Sequence, residues 1–155
     1  MYLGLDLDWY YSHRKLHFSI MPYVIDALTR SQHNNPQNLQ HQPYPHIRPN
    51  YGAKSQYAEA VDVSPTLYTA NEICVQEVRG DFLYHAQAVD PTTMTAVGSI
   101  ESHQTIPMEH TMKKVKQLLK DEATYPDAIL TYHASDMVLA GHSDASYLSE
   151  KNLEA

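Results

Sequence analysis

A single cysteine, Cys74, stands among the 155 residues. One thiol closes no intrachain disulfide and builds no Cys-based metal site, and it suits a reducing compartment. Long apolar runs are also missing. Nothing approaches the roughly 20 residues that cross a bilayer, and the first residues carry Asp6 and Asp8 where a secretory leader would be basic and then apolar. The expectation is an intracellular protein, cytosolic or nuclear, with no membrane partner. Positive charge is scarce as well: 11 Lys+Arg against 18 Asp+Glu leave a formal net charge of -7. Phosphate neutralisation supplies most non-specific affinity for nucleic acids, so the chain as a whole is a poor polyanion binder. Any such contact has to come from a local basic face. Arg14-Lys15 is one, and Lys113, Lys114, Lys116 and Lys120 form another; the plainer reading of both is solvated surface. Hydrophobic residues at 43% and charged ones at 19% are ordinary for a globular protein, which argues against wholesale disorder. The length suffices for one domain with a real core, or for two small pieces that lean on neighbours.

Leu3, Leu5 and Leu7 alternate with Gly4, Asp6 and Asp8, the period of a strand with one buried face, and Leu16, Phe18 and Ile20 repeat it. With Trp9-Tyr10-Tyr11-Ser12-His13 between them, the simplest structure is a β-hairpin with a wide connection and with Asp6 and Asp8 on its outer face. Pro22 suits a first helical position, and Tyr23, Val24, Ala27 and Leu28 follow it to about Arg30. From Ser31 to Ser64 the chain turns to Gln, Asn, His, Pro and Tyr, with Pro36, Pro43, Pro45 and Pro49 excluding a continuous helix. This is an extended tether, or a loop that wraps another surface. Asn71 is placed to cap a helix with a stripe of Ile73, Val78, Phe82, Leu83 and Ala86 around Gly80. Asp90-Pro91 then offers an N-cap and a first helical residue, with Met94, Val97 and Ile100 inside. After Thr105 and Pro107, Met112, Val115, Leu118 and Leu119 fall on one side of a third helix, and Lys113, Lys116 and Lys120 on another. Ile129, Leu130 and Thr131-Tyr132-His133, the turn residues Ala134-Ser135-Asp136, and Met137, Val138 and Leu139 read as a second hairpin. The fold class is therefore α+β: an N-terminal β-hairpin and helix over residues 1–30, an extended Pro/Gln/His-rich tether over 31–64, a three-helix middle over 65–125, and a C-terminal β-hairpin over 126–155.

The outgoing strand leads to Leu139-Ala140-Gly141-His142-Ser143-Asp144-Ala145, an apolar run ending on one carboxylate among small residues. Such a layout places an acid at the end of a buried strand; an Asp beside Ser and Ala also caps a turn. Ser143 and Ser146 lie near His142, but neighbours in a strand point to opposite faces and no acid is placed to orient the imidazole, so a serine hydrolase is not indicated. His33, His41 and His46 lack the close paired spacing of zinc sites, and His103 and His110 flank Pro107 without a shared ligand set.

The order of these pieces is what resembles a family. Tyr2-Leu3-Gly4-Leu5, the hairpin, Leu16-His17-Phe18-Ser19 and Tyr23-Val24-Ile25-Asp26-Ala27-Leu28 resemble the segment after the catalytic aspartates of copia-type retrotransposon reverse transcriptases. Val78-Arg79-Gly80-Asp81-Phe82-Leu83-Tyr84 resembles their helix around a mid-helix glycine, and Pro107, His110, Val115, Leu118, Leu119 and Lys120 the helix leading out of the thumb. Gly141-His142-Ser143-Asp144-Ala145 is similar to the opening of their ribonuclease H domain. The resemblance implies a primer-grip hairpin from Tyr2 to Ile20, thumb-like and connecting helices, a C-terminal hairpin that begins an RNase H-like sheet, and template-primer or an RNA:DNA hybrid as partner. The parent enzyme would carry out RNA-directed DNA synthesis and hydrolysis of the RNA strand, with Asp144 as its first catalytic carboxylate bridging two magnesium ions. Two departures follow. The paired polymerase aspartates, expected upstream of Tyr2, are absent, and Asp6 and Asp8 occupy the grip strand instead, where exposed acids suit the polar face. The further RNase H carboxylates are absent too, and Glu150 and Glu154 do not stand where they belong. The expectation is a relic or excerpt, inactive alone, completed only by the missing polymerase and RNase H domains; the alternative is a non-catalytic protein- or nucleic-acid-binding remnant.

Overall fold

The computed structural model describes residues 4–33, 38–45 and 62–135. The chain divides into two compact units, one of residues 1–45 with 64–134 and one of residues 46–63 with 135–155. In the second, the described residues Asp62, Val63 and Ser135 belong to no helix or strand. The first contains β1 (Asp6–Tyr10), β2 (Lys15–Ser19), α1 (Met21–Arg30), α2 (Thr69–Ala88), α3 (Met94–Ser102), α4 (Glu109–Thr124) and β3 (Leu130–His133). It is an α+β arrangement: the described strands form one antiparallel sheet in the order β1-β2-β3, beside four helices.

The alternating leucines do form a hairpin, but its connection is shorter than the aromatic run suggested. β1 continues through Trp9 and Tyr10, and Tyr11–His13 make one 3-10 turn that closes through Arg14, whose φ of 51° lies in the left-handed region. Ile20 leaves the sheet to become the N-cap of α1 and is fully buried. Leu130–His133, expected as the first strand of a C-terminal hairpin, pairs with β2: Leu16 faces Tyr132 and Phe18 faces Leu130. Both ends of the folded unit thus meet in one sheet, a pairing that local turn chemistry cannot announce. Met137–Leu139 lie outside the described residues.

Pro22 sits in the first turn of α1, where its missing N–H costs no hydrogen bond. The helix buries Val24, Ala27 and Leu28, Tyr23 donates its hydroxyl to the carbonyl of Asp81 at 3.0 Å, and Arg30 pairs with Asp81 at 3.0 Å, so α1 is fastened to α2 at both ends. α2 starts at Thr69, ahead of Asn71, which therefore lies inside the first turn and is no cap. Its buried side is Val75, Val78, Phe82, His85 and Ala86, while Ile73 is exposed. Asp90 does cap: its carboxylate accepts from the Thr92 N–H at 3.0 Å ahead of the Pro91–Thr93 turn that leads into α3. α3 turns Ala96, Val97 and Ile100 inward and leaves Met94 exposed. α4 buries Val115, Leu118 and Leu119 and leaves Lys113, Lys116 and Lys120 in solvent, as its periodicity predicts. Lys114 departs from the basic face. It is buried, donates to Ser99 Oγ at 3.0 Å and lies 5.6 Å from the centre of the Tyr44 ring.

Tyr44 belongs to residues 38–45, the described part of the Pro/Gln/His-rich stretch, which runs along α4. The Gln40 N–H donates to Thr124 Oγ1 at 3.1 Å, and the Gln117 side-chain amide donates to the Gln42 carbonyl at 3.0 Å. Of the two readings of that stretch, wrapping a surface describes these residues.

Gly80 lies in the interior of α2, and a methyl group there would meet nothing within 4 Å. Packing does not need the glycine. Gly80→Ala should stabilise the unit by about 0.5–1 kcal/mol through the entropy that glycine loses on folding, read as a higher urea midpoint.

Candidate nucleic-acid interface

Strand register sorts the sheet into two faces. Leu7, Trp9, Leu16, Phe18, Leu130 and Tyr132 share one; Asp6, Asp8, Tyr10, Lys15, His17, Ser19, Thr131 and His133 share the other. On the apolar face, Leu5, Phe18 and Leu130 pack against the helices. The far end of that face runs past them. There Trp9 is 58% exposed, Tyr132 53% and Tyr11, at the turn, 81%. Trp9 and Tyr11 stack with centroids 5.9 Å apart and planes 15° apart, while Tyr132 meets the edge of Phe18 at 5.1 Å. On the reverse face Tyr10 leans on His17 at 4.7 Å.

Charge at this tip runs against that of the chain. Between Trp9 and Ser19 there are His13, Arg14, Lys15 and His17 and no carboxylate, although the chain as a whole is acidic. Arg14 sits at the turn with its carbonyl accepting from the Ala134 N–H at 3.0 Å, so β3 steadies the tip. An exposed, stacked aromatic pair on a hairpin whose turn carries a basic residue such as Arg14 suits unpaired bases, which stack on the rings while phosphates meet the cation. Sequence reasoning flagged Arg14-Lys15 but missed the stacked pair, because it placed Trp9 and Tyr11 in a wide loop. An unbroken alternation through Trp9 was the signal available.

The other predicted site residues lie elsewhere. Asp144, with His142, Ser143, Ser146, Glu150 and Glu154, falls outside the described residues. Asp6 and Asp8 project from one exposed face, opposite Ser19 and His17. Among the described residues no group of three or more His, Cys, Asp or Glu is placed to hold a metal ion, so the donor set for a magnesium pair is not found there. Lys113 and Lys116 line a cleft of about 300 Å³ with Thr66, Tyr68, Asn71 and Glu109, and Lys120 lies one turn further along α4. His33 and His103 spend their Nδ1 atoms on the backbone carbonyls of Ser31 and Ser99.

His85 escaped sequence reasoning altogether. It is 1% exposed, and its Nδ1 lies 3.1 Å from the equally buried Glu122 carboxylate. No helix of the described residues is long and apolar enough to cross a membrane. Neither a protein-family model, a curated protein nor a solved structure matches the chain.

Proposed function

We propose that this chain is a non-catalytic piece of a copia-type retrotransposon reverse transcriptase and ribonuclease H, and that its sheet is the primer-grip-like element touching template-primer. The observation carrying this reading is the stacked, exposed Trp9–Tyr11 pair at the tip of the hairpin, whose turn Arg14 closes. In the same reading Lys113, Lys116 and Lys120 follow phosphates, and Asp144 begins an RNase H-like site that needs further carboxylates of an RNase H domain before magnesium binds.

Trp9 is the chain's one tryptophan, so its fluorescence reports the tip directly. Titrating template-primer or an RNA:DNA hybrid should quench it saturably, without cleavage of the RNA strand when magnesium is added. Trp9→Ala with Tyr11→Ala should lower affinity by about 1–3 kcal/mol for each base left unstacked, measured by anisotropy of a labelled oligonucleotide. Arg14→Ala should flatten the salt dependence by about 0.7 of a log unit per log unit of salt. Binding that survives both changes, or hybrid cleavage abolished by Asp144→Asn, defeats the proposal.

A second reading, a protein-binding remnant, is favoured by Met21 and Ile25, which lie one turn apart and exposed on α1, and by exposed Ile73. It predicts association insensitive to salt and no quenching of Trp9 by nucleic acid.

A further inference from the structure

Pro65 and Pro107 each stand in a short non-helical segment just ahead of a helix, and the two segments meet. Thr66 and Met108 form an isolated antiparallel bridge, the Leu67 N–H donates to the Pro107 carbonyl at 3.0 Å, and the Glu109 N–H donates to the Pro65 carbonyl at 3.0 Å. The His110 N–H adds a bond to Ser64 Oγ at 3.2 Å. Backbone hydrogen bonds thus hold the starts of α2 and α4 side by side, and the cleft of about 300 Å³ lined by Lys113 and Lys116 lies at this junction. Its size is at the lower end for small-molecule sites.

The lining divides by chemistry. Leu67 and Met112 are half-buried and pack on the core, so the inner side is apolar. Lys113 and Lys116, one turn apart on α4, bring two exposed ammonium groups, and among the described residues neither has an ion-pair or hydrogen-bond partner. Thr66, Tyr68 and Asn71 bring a hydroxyl, a phenol and an amide, with Tyr68 86% exposed. Glu109 is the one acid of the lining, so two cations against one carboxylate leave it positive.

We infer that this cleft binds a small hydroxylated phosphomonoester. Lys113 and Lys116 take the phosphate, Glu109 and Asn71 take the hydroxyls, and Leu67, Met112 and the Tyr68 ring receive the body of the molecule. A phosphomonoester carries a charge of about -1.5 to -2 at pH 7 and three acceptor oxygens, which matches two adjacent ammonium groups. A carboxylate or a phosphodiester carries one charge and leaves one of them unanswered. Glu109 accepts from hydroxyls and repels a second anionic group, which favours a ligand charged at one end only. A free sugar phosphate or nucleoside monophosphate has this chemistry, and so has the 5′-phosphorylated end of a nucleic-acid strand. The strand end rests on the nucleic-acid reading above; the free compound does not.

The test titrates the isotope-labelled full chain with adenosine 5′-monophosphate and follows its backbone amides by NMR. The nucleotide should bind saturably and move amides of residues 66–71 and 109–116 while sparing those of 9–17, and adenosine should bind roughly tenfold or more weakly. Lys113→Gln and Lys116→Gln should each weaken binding roughly threefold or more, and Lys113→Arg, which keeps the charge, should retain most of it. Competition by a 5′-phosphorylated oligonucleotide but not by its 5′-hydroxyl counterpart supports the site with the strand end as its source; equal behaviour of the two supports it with the free compound. No saturable shift by about 10 mM, equal affinity for adenosine, or binding untouched by the two Gln substitutions together overturns the site. Its failure while template-primer still quenches Trp9 leaves the nucleic-acid reading standing, and nucleotide binding without any such quenching does the reverse.

Discussion

Glu122→Leu should cost the folded protein about 2–4 kcal/mol, because it leaves the His85 imidazole buried without its acceptor. The two side chains are each 1% exposed and reach each other from α2 and α4, so no water replaces the lost partner. Replacing both, His85→Phe with Glu122→Leu, should recover most of the loss, since a buried polar pair exchanged for apolar groups of similar volume is commonly neutral or stabilising. Glu122→Gln separates charge from hydrogen bonding. It keeps an acceptor for His85 and removes the ionisation that burial opposes, and because Glu122 holds its proton more firmly folded than unfolded, its advantage over the parent should grow as pH rises. Urea midpoints of the parent, Glu122→Leu, His85→Phe and the double variant, arranged as a double-mutant cycle, check the coupling. A Glu122→Leu protein as stable as the parent would mean that the pair contributes nothing to holding α2 on α4.

Phe82→Ala should cost about 3–5 kcal/mol, the range for truncating a buried aromatic ring that neighbours only partly collapse upon. Phe82 heads the fully buried side chains, lies in the middle of α2 and packs its ring edgewise near His85, with centroids 6.4 Å apart. Domains of this size hold about 5–15 kcal/mol in total, so the loss removes a large share of the stability. The sheet tip would then lose its support as well, since Leu5, Phe18 and Leu130 pack on the same core. Circular dichroism across a urea series measures the effect. Phe82→Leu, which keeps most of the volume, should cost less than about 1.5 kcal/mol, so a similar loss in both variants would argue against cavity formation as the cause.

Much of this architecture was readable residue by residue, and the misses share a cause. Period-two alternation located β1 and β2, Pro22 located α1, and Asp90-Pro91 located the start of the third helical segment. The stripe on α4 separated Val115, Leu118 and Leu119 from Lys113, Lys116 and Lys120. Lys114 defeated that logic because its ammonium meets Ser99 on α3 and the Tyr44 ring on the wrapped segment, partners distant in sequence. His85 defeated it similarly: a polar residue on an apolar helix face carries no mark of the Glu122 that satisfies it 37 positions later.

The candidate interface divides along the same line. Its chemistry, aromatic residues beside Arg14 and Lys15 without an acid, is written in one short stretch. Its geometry depends on β3 arriving from more than a hundred residues away to pair with β2 and add Tyr132 beside Leu16. Sequence alone determined the local periods, the Asp90 cap and the sign of charge at each site, because those depend on near neighbours and backbone geometry. Tertiary structure decided which polar groups could be buried and which aromatic rings were left facing water, because burial follows from the partners that long-range packing supplies.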